Sequence, residues 1–160
     1  MIIGLISDTH GLLRAEVIQN LKGCDLIIHA GDIGKYEVID RLRQVAPLEL
    51  VLGNCDRNIE DESISTEKIV QIGEKKLYII HDISKLNIDL QQEKISFVVC
   101  GHSHKRNIYT ENGIIYINPG SVGPKRFKLP TTMAKLYIDE ELIDEKFLKL
   151  DNYYIEFINI

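Results

Sequence analysis

The segment Ile2–Gly11, "IIGLISDTHG", decides how the rest of the chain is read. Ile2 to Ser7 is a short apolar run rich in isoleucine, as expected of a strand buried on both faces. It ends on Asp8 and His10, side chains suited to chemistry rather than to a core. Leu12 to Lys22 then carries Leu13, Val17, Ile18 and Leu21 at helical spacing. Asp25 to Ala30, "DLIIHA", reads as a second strand, and Tyr36 to Val45 as a second helix with Tyr36, Ile39, Leu42 and Val45 on one stripe. Leu48 to Leu52, introduced by Pro47, is a third strand. Strand-helix-strand-helix-strand implies right-handed crossovers and a parallel sheet.

The second half changes character. Lys68–Ile72 and Lys76–Ile80 flank "GEK" and predict a hairpin. A short helix is expected over Leu86–Lys94, and a buried strand over Phe97–Cys100. Asn107–Thr110 and Ile114–Asn118 join around Asn112-Gly113, a strong hairpin signal. Met133–Ile138, Phe147–Leu150 and Tyr153–Ile158 complete the strands. The expectation is one α/β domain over residues 1–160, with two packed mixed sheets and helices outside.

Bulk properties narrow the function classes. The formal charge of −5 argues against a nucleic-acid binder, which needs a basic face. Cys24, Cys55 and Cys100 are odd in number and not closely spaced, which fits a reducing compartment rather than a disulfide framework. The opening residues hold no cationic leader, and no segment approaches the ~20 apolar residues of a membrane span. A cytoplasmic protein without a membrane partner is expected.

Strand ends carry the informative residues. Asp8 and His10 follow the first strand, Asp32 ("HAGDIG") the second and Asn54 ("LGNCD") the third. His81 ("YIIHD") follows the strand ending at Ile80, and "GHSH" delivers His102 and His104 after Cys100. Ligands in open α/β folds collect at the carboxyl ends of strands. Alternate residues of an extended segment point the same way, so Asp8 pairs with His10, and His102 with His104. Two carboxylates, four histidines and an amide exceed the needs of one ion with an open position. They suit two ions sharing a carboxylate, and the mixed oxygen and imidazole donors suit manganese, iron, zinc or nickel better than calcium or magnesium. Singly, each residue has a bland reading as a capped loop group; the ordered set at five strand ends does not.

The ordered motifs D-x-H, G-D, G-N, a lone His after a strand, G-H-x-H and N-P-G-S run from Asp8 to Ser121. They resemble the calcineurin-like metallophosphoesterase superfamily, and "GNCD" with the short length resembles its small, YfcE-like phosphodiesterases. The resemblance implies a four-layer α-β-β-α sandwich. It implies that Asp8, His10, Asp32 and His104 hold one divalent cation, and Asp32, Asn54, His81 and His102 a second, with Asp32 bridging. Manganese is the first expectation, with nickel, iron, cobalt or zinc as alternatives. The implied reaction is hydrolysis of a small phosphodiester by in-line attack of a metal-bridging hydroxide. Asp32, Asn54, His81 and His102 form the expected catalytic set, with Asn54 and Arg57 as substrate contacts. A phosphomonoesterase, or a non-catalytic protein scaffold on the same fold, is the alternative.

Some positions depart from the family pattern. Cys55 stands where many relatives have a histidine that protonates the leaving group; packing is the favoured reading for it. Asp82 follows His81 where relatives have glycine, so an added carboxylate either tightens or crowds the second cation. His29 is expected to be a hydrogen-bonded core residue, with support of a ligand as the minor alternative. Asn118-Pro119-Gly120-Ser121 reads as a turn that sets backbone behind the ligands. Lys105, Arg106, Lys125 and Arg126 also border the motif loops. The tyrosine-rich tail "NYYIEFINI" either closes the core or supports a dimer or tetramer.

Overall fold

The computed structural model describes residues 1–126, 128–138, 148–150 and 153–160. Its strands are β1 (Ile2–Ile6), β2 (Leu26–His29), β3 (Leu48–Leu50), β4 (Glu67–Ile72), β5 (Lys75–Ile80), β6 (Ile95–Val99), β7 (Asn107–Glu111), β8 (Ile114–Asn118), β9 (Thr132–Ile138), β10 (Leu148–Leu150) and β11 (Tyr153–Asn159). Its helices are α1 (Ala15–Leu21) and α2 (Tyr36–Arg43). The strands form two sheets, ordered β10-β11-β9-β1-β2-β3 and β4-β5-β6-β8-β7. Both are mixed: β1-β2-β3 and β5-β6-β8 run parallel, and the flanking pairings are antiparallel.

Side-chain alternation explains the apolar runs. Ile3 and Leu5 of β1, Leu26 and Ile28 of β2, Leu77 and Ile79 of β5, and Phe97 and Val99 of β6 meet between the sheets. The opposite parity of β1 and β2, Ile6 and Ile27, packs under Val17 and Leu21 of α1 and Ile39 and Leu42 of α2. Strands buried on both faces cannot show a polar alternation, which is why they read as continuous apolar stretches.

The outer face of the five-stranded sheet is covered differently from expectation. No α-helix forms over Leu86–Lys94; a 3-10 turn spans Ile83–Lys85 and turns follow it. Leu86, at φ −57° and ψ 124°, ends the 3-10 turn in extended backbone, and Asp82 and Asp89 each cap only a short turn. Ile83, Leu86, Ile88 and Leu90 still bury Tyr78, Ile80 and Val98, so the fourth layer is present but thin. Helix α1 begins at Ala15 rather than Leu12, because Gly11 lies at φ 80° and Leu12 closes a turn onto Thr9. Residue 147 of the expected strand 147–150 lies outside the described residues.

Candidate metal centre

The parallel strands of both sheets point their carboxyl ends to one edge, and the loops there are laced together. Backbone N–H groups of Asp8, His10 and Gly11 donate to the carbonyls of Gly31, Asp32 and Ile33 at 3.0, 2.9 and 2.7 Å. The N–H of Gly101 donates to the carbonyl of His81 at 2.9 Å, tying the exits of β6 and β5. The loops approach closely enough to exclude side chains: a Cβ at Gly53 would collide with Asp32, and one at Gly101 with Ser7.

This lacing places unusual backbone under the candidate ligands. Asp8, His10, Asp32, His102 and His104 have φ of 57°, 46°, 55°, 67° and 58°. Non-glycine residues in this left-handed region carry strain that clusters at functional sites. The premise of an extended chain therefore fails at both D-x-H and H-x-H. Asp8 and His10 meet all the same, with His10 Nε2 at 3.9 Å from Asp8 Oδ1. His102 and His104 part: His104 crosses to Asp8 and His10, whereas His102 turns to Asn54 and His81.

Two overlapping groups result. In the first, His104 Nε2 stands 3.2 Å from Asp8 Oδ1 and 3.4 Å from His10 Nε2. In the second, His81 Nε2 is 3.4 Å from Asp32 Oδ2, and His102 Nδ1 is 3.1 Å from Asn54 Oδ1. Asp32 Oδ2 also lies 3.8 Å from His10 Nε2, so it stands between the two groups. Asp8, His10 and His104 have donor atoms close enough to share one cation, as do Asp8, Asp32 and His81.

The donor set fits divalent cations on its own chemistry. Asp8 is fully buried, yet among the described residues neither carboxylate oxygen has a hydrogen-bond partner, and His81 Nε2 is likewise buried without one. Buried polar groups are normally satisfied, and such orphans call for an ion. His81 is oriented for ligation: its Nδ1–H donates to the Ala30 carbonyl at 2.7 Å, leaving the Nε2 lone pair facing Asp32. Electrostatics agree. Burial lowers the affinity of His81 for a proton, but Asp32 and Asp8 outweigh it and raise its pKa above the ordinary value. Burial pushes the Asp32 carboxyl up, while His81 and the Cys55 backbone N–H hold it well below the usual carboxylate range. The pocket demands positive charge.

The supporting residues are clear in the structure. His29 is fully buried; its Nδ1 accepts the Gly31 N–H and its Nε2–H donates to Thr9 Oγ1 at 2.9 Å. The Thr9 hydroxyl in turn donates a hydrogen bond to the Ile33 carbonyl, so His29 braces the loop between Asp8 and His10 as a neutral imidazole. Asn118 Nδ2 donates to the Gly101 carbonyl at 2.7 Å and Ser121 Oγ to the Asp8 carbonyl at 3.1 Å. The N-P-G-S turn thus acts through its side chains. Asp56, buried, accepts the N–H groups of Gly34 and Gly53 at 2.8 Å each, stapling the Asp32 and Asn54 loops.

One sequence reading needs revision. Cys55 is exposed, not a packing residue; its Sγ accepts Asn54 Nδ2 at 3.3 Å beside His10 and Asp32. Partial burial and then Asp32 push its thiol pKa up. Asp82 spends its Oδ1 on the N–H and hydroxyl of Ser84 and lies beside His81 and His102. Among the described residues no contact joins exposed Arg57 to the cluster, whereas Arg126 Nη2 lies 3.4 Å from His10 Nε2. Arg126, one of the basic residues bordering the motif loops, reaches His10 from 116 residues away in the chain.

A family model described as the calcineurin-like phosphoesterase superfamily domain matches residues 1–141. A protein described as a "probable metallophosphoesterase", from Methanothermobacter thermautotrophicus, is 30% identical over 161 residues, covering 93% of this chain and 92% of that one. Among solved structures, one described as a novel archaeal phosphodiesterase superposes with a TM-score of 0.75 at 24% identity, covering 100% of both chains. Vps29 from Chaetomium thermophilum also superposes with a TM-score of 0.75, at 14% identity, over 99% of this chain and 96% of that one.

Proposed function

The chain belongs to the calcineurin-like phosphoesterase superfamily, and from that membership we propose that it is a cytoplasmic phosphodiesterase worked by two divalent cations. Asp8, His10, Asp32 and His104 would hold one cation; Asp32, Asn54, His81 and His102 would hold the other, with manganese the first expectation. When bound, the cations would supply an acidified water and positive charge against the phosphoryl oxygens. The supporting observation is the buried, unpartnered pair of Asp8 oxygens and His81 Nε2.

The chain's own groups do the rest. The Ala30 carbonyl fixes the tautomer of His81, and His29 with Thr9 fixes the loop that carries Asp8 and His10. Rigid placement matters because phosphoryl transfer gains mostly from positioning and preset charge. Arg126, beside His10, is the guanidinium best placed to meet a phosphate oxygen at the mouth, ahead of Arg57. Cys55 stands beside Asn54 as a protonated thiol, a weaker acid than imidazolium, so esters with good leaving groups are favoured.

The test is hydrolysis of an activated aryl phosphodiester with added manganese, compared with the matching monoester. Turnover of the diester, abolished by Asp32→Ala, is expected. No turnover with manganese, nickel, cobalt, zinc or iron would overturn the reading and leave a non-catalytic scaffold on the same fold.

A further inference from the structure

Two cavities open on either side of Asp82, and each reaches side chains proposed for the second cation. One, about 360 Å³, runs from Asn54 and His81 to Thr66, Glu67, Lys85 and Asn87. The other, about 230 Å³, runs from His102 to Asn107, Tyr109 and Tyr116. Asp82 lines both. Its carboxylate is locked onto Ser84, so the partition between the cavities is a fixed wall.

The walls differ in chemistry. Tyr109 and Tyr116 are direct partners across β7 and β8, and their rings stack 4.6 Å apart at 4°. Together they make a flat aromatic side, with Tyr109 still 43% exposed. A planar ring packs well against such a surface. The larger cavity offers an ammonium, a carboxylate, an amide and a hydroxyl, groups that pair with alcohols. Its volume sits at the low end of the roughly 300–1,000 Å³ typical of small-molecule sites; the tyrosine cavity is smaller, suited to one ring rather than a whole ligand.

A phosphomonoester has one organic arm on phosphorus, and a diester has two. We infer that the two cavities take the two arms of one phosphodiester, a planar aromatic arm against Tyr109 and a polyhydroxylic arm beside Lys85. This rests on the phosphodiesterase reading for the position of the phosphorus, between the cavities and near His81 and His102. It goes beyond that reading in naming the substrate class: mixed diesters of an aromatic and a hydroxylated alcohol. Tyr109 and Lys85 are then specificity residues rather than catalytic ones.

The experiment measures binding of phenyl glyceryl phosphate and methyl glyceryl phosphate to the manganese-loaded chain by calorimetry, with hydrolysis of both followed separately. The wild type is expected to favour the phenyl compound. Tyr109→Ala is expected to shrink that preference by about three- to tenfold, the ratio that ring packing supplies. Lys85→Met should weaken both compounds about equally and leave the preference standing. The half-exposed position of Tyr109 makes loss of folding an unsuitable explanation, and an unchanged melting temperature checks it. An unchanged preference in Tyr109→Ala, no preference in the wild type, or no binding overturns the assignment. Binding with the expected preference but without hydrolysis would sustain the cavities and sink the catalytic reading instead.

Discussion

Replacing Asp8 by Asn should make the metal-free protein more stable while destroying its response to metal. Asp8 is fully buried, and neither of its oxygens is hydrogen-bonded. A buried polar group left unpaired costs about 1–3 kcal/mol, more when charged. In a domain of this size each kcal/mol moves the melting temperature by about 2–4 °C. The amide also stays buried and unpaired, so only the share due to the charge is relieved, and the metal-free melting temperature should rise by roughly 2–4 °C for each kcal/mol of that share. Metal at a hundred times its dissociation constant stabilises the native state by about 2.7 kcal/mol, or roughly 5–11 °C here. That increment should appear in the wild type and be absent or much reduced in Asp8→Asn. The assay is differential scanning calorimetry in chelator and in excess manganese. A metal-free variant that melts lower than the wild type, or one that keeps the full metal increment, would refute the view that the Asp8 carboxyl is placed to take a cation.

Other outcomes follow from the supporting residues. Burial depresses the His29 pKa to about 4, so only the neutral imidazole fits its place between Thr9 and Gly31. The unfolded chain takes the proton first as pH falls below 6.5, so stability is full above pH 6.5 and falls by about 3 kcal/mol towards pH 4. Urea titrations should show the His29→Gln variant lacking this one-proton slope, and an identical slope would sink the assignment. Asp56→Ala strands the N–H groups of Gly34 and Gly53 and should cost about 2–5 kcal/mol in urea unfolding, with weakened metal affinity; metal affinity unchanged would show the staple irrelevant to the site. Gly53→Ala forces a Cβ against Asp32 and should lower calorimetric metal affinity at least tenfold, and a wild-type affinity would contradict the close approach.

Much of the fold was legible because burial on both faces leaves a plain mark. β1, β2 and β6 read as isoleucine- and valine-rich runs, and α2 as a stripe of Ile39 and Leu42. The outer layer over Leu86–Lys94 was not legible, because the chain turns extended at Leu86 in a way that apolar spacing does not report. The donors were legible as types at strand ends. Their grouping came from the family resemblance and not from strand parity, because His102 and His104 sit in left-handed turns where parity does not apply. Thr9 and Asp56 escaped, and so did the contact of Arg126 with His10, for a related reason. Their roles arise from contacts with His29, with Gly34 and Gly53, and with His10, which only the folded chain brings near.

The count of cations is the most direct measurement. Native mass spectrometry of the chain loaded with manganese and freed of excess should show two ions per chain, and Asp32→Ala should lose both from the stable count. A single ion at every manganese concentration, or two ions retained without Asp32, would contradict a shared carboxylate at the centre of this site.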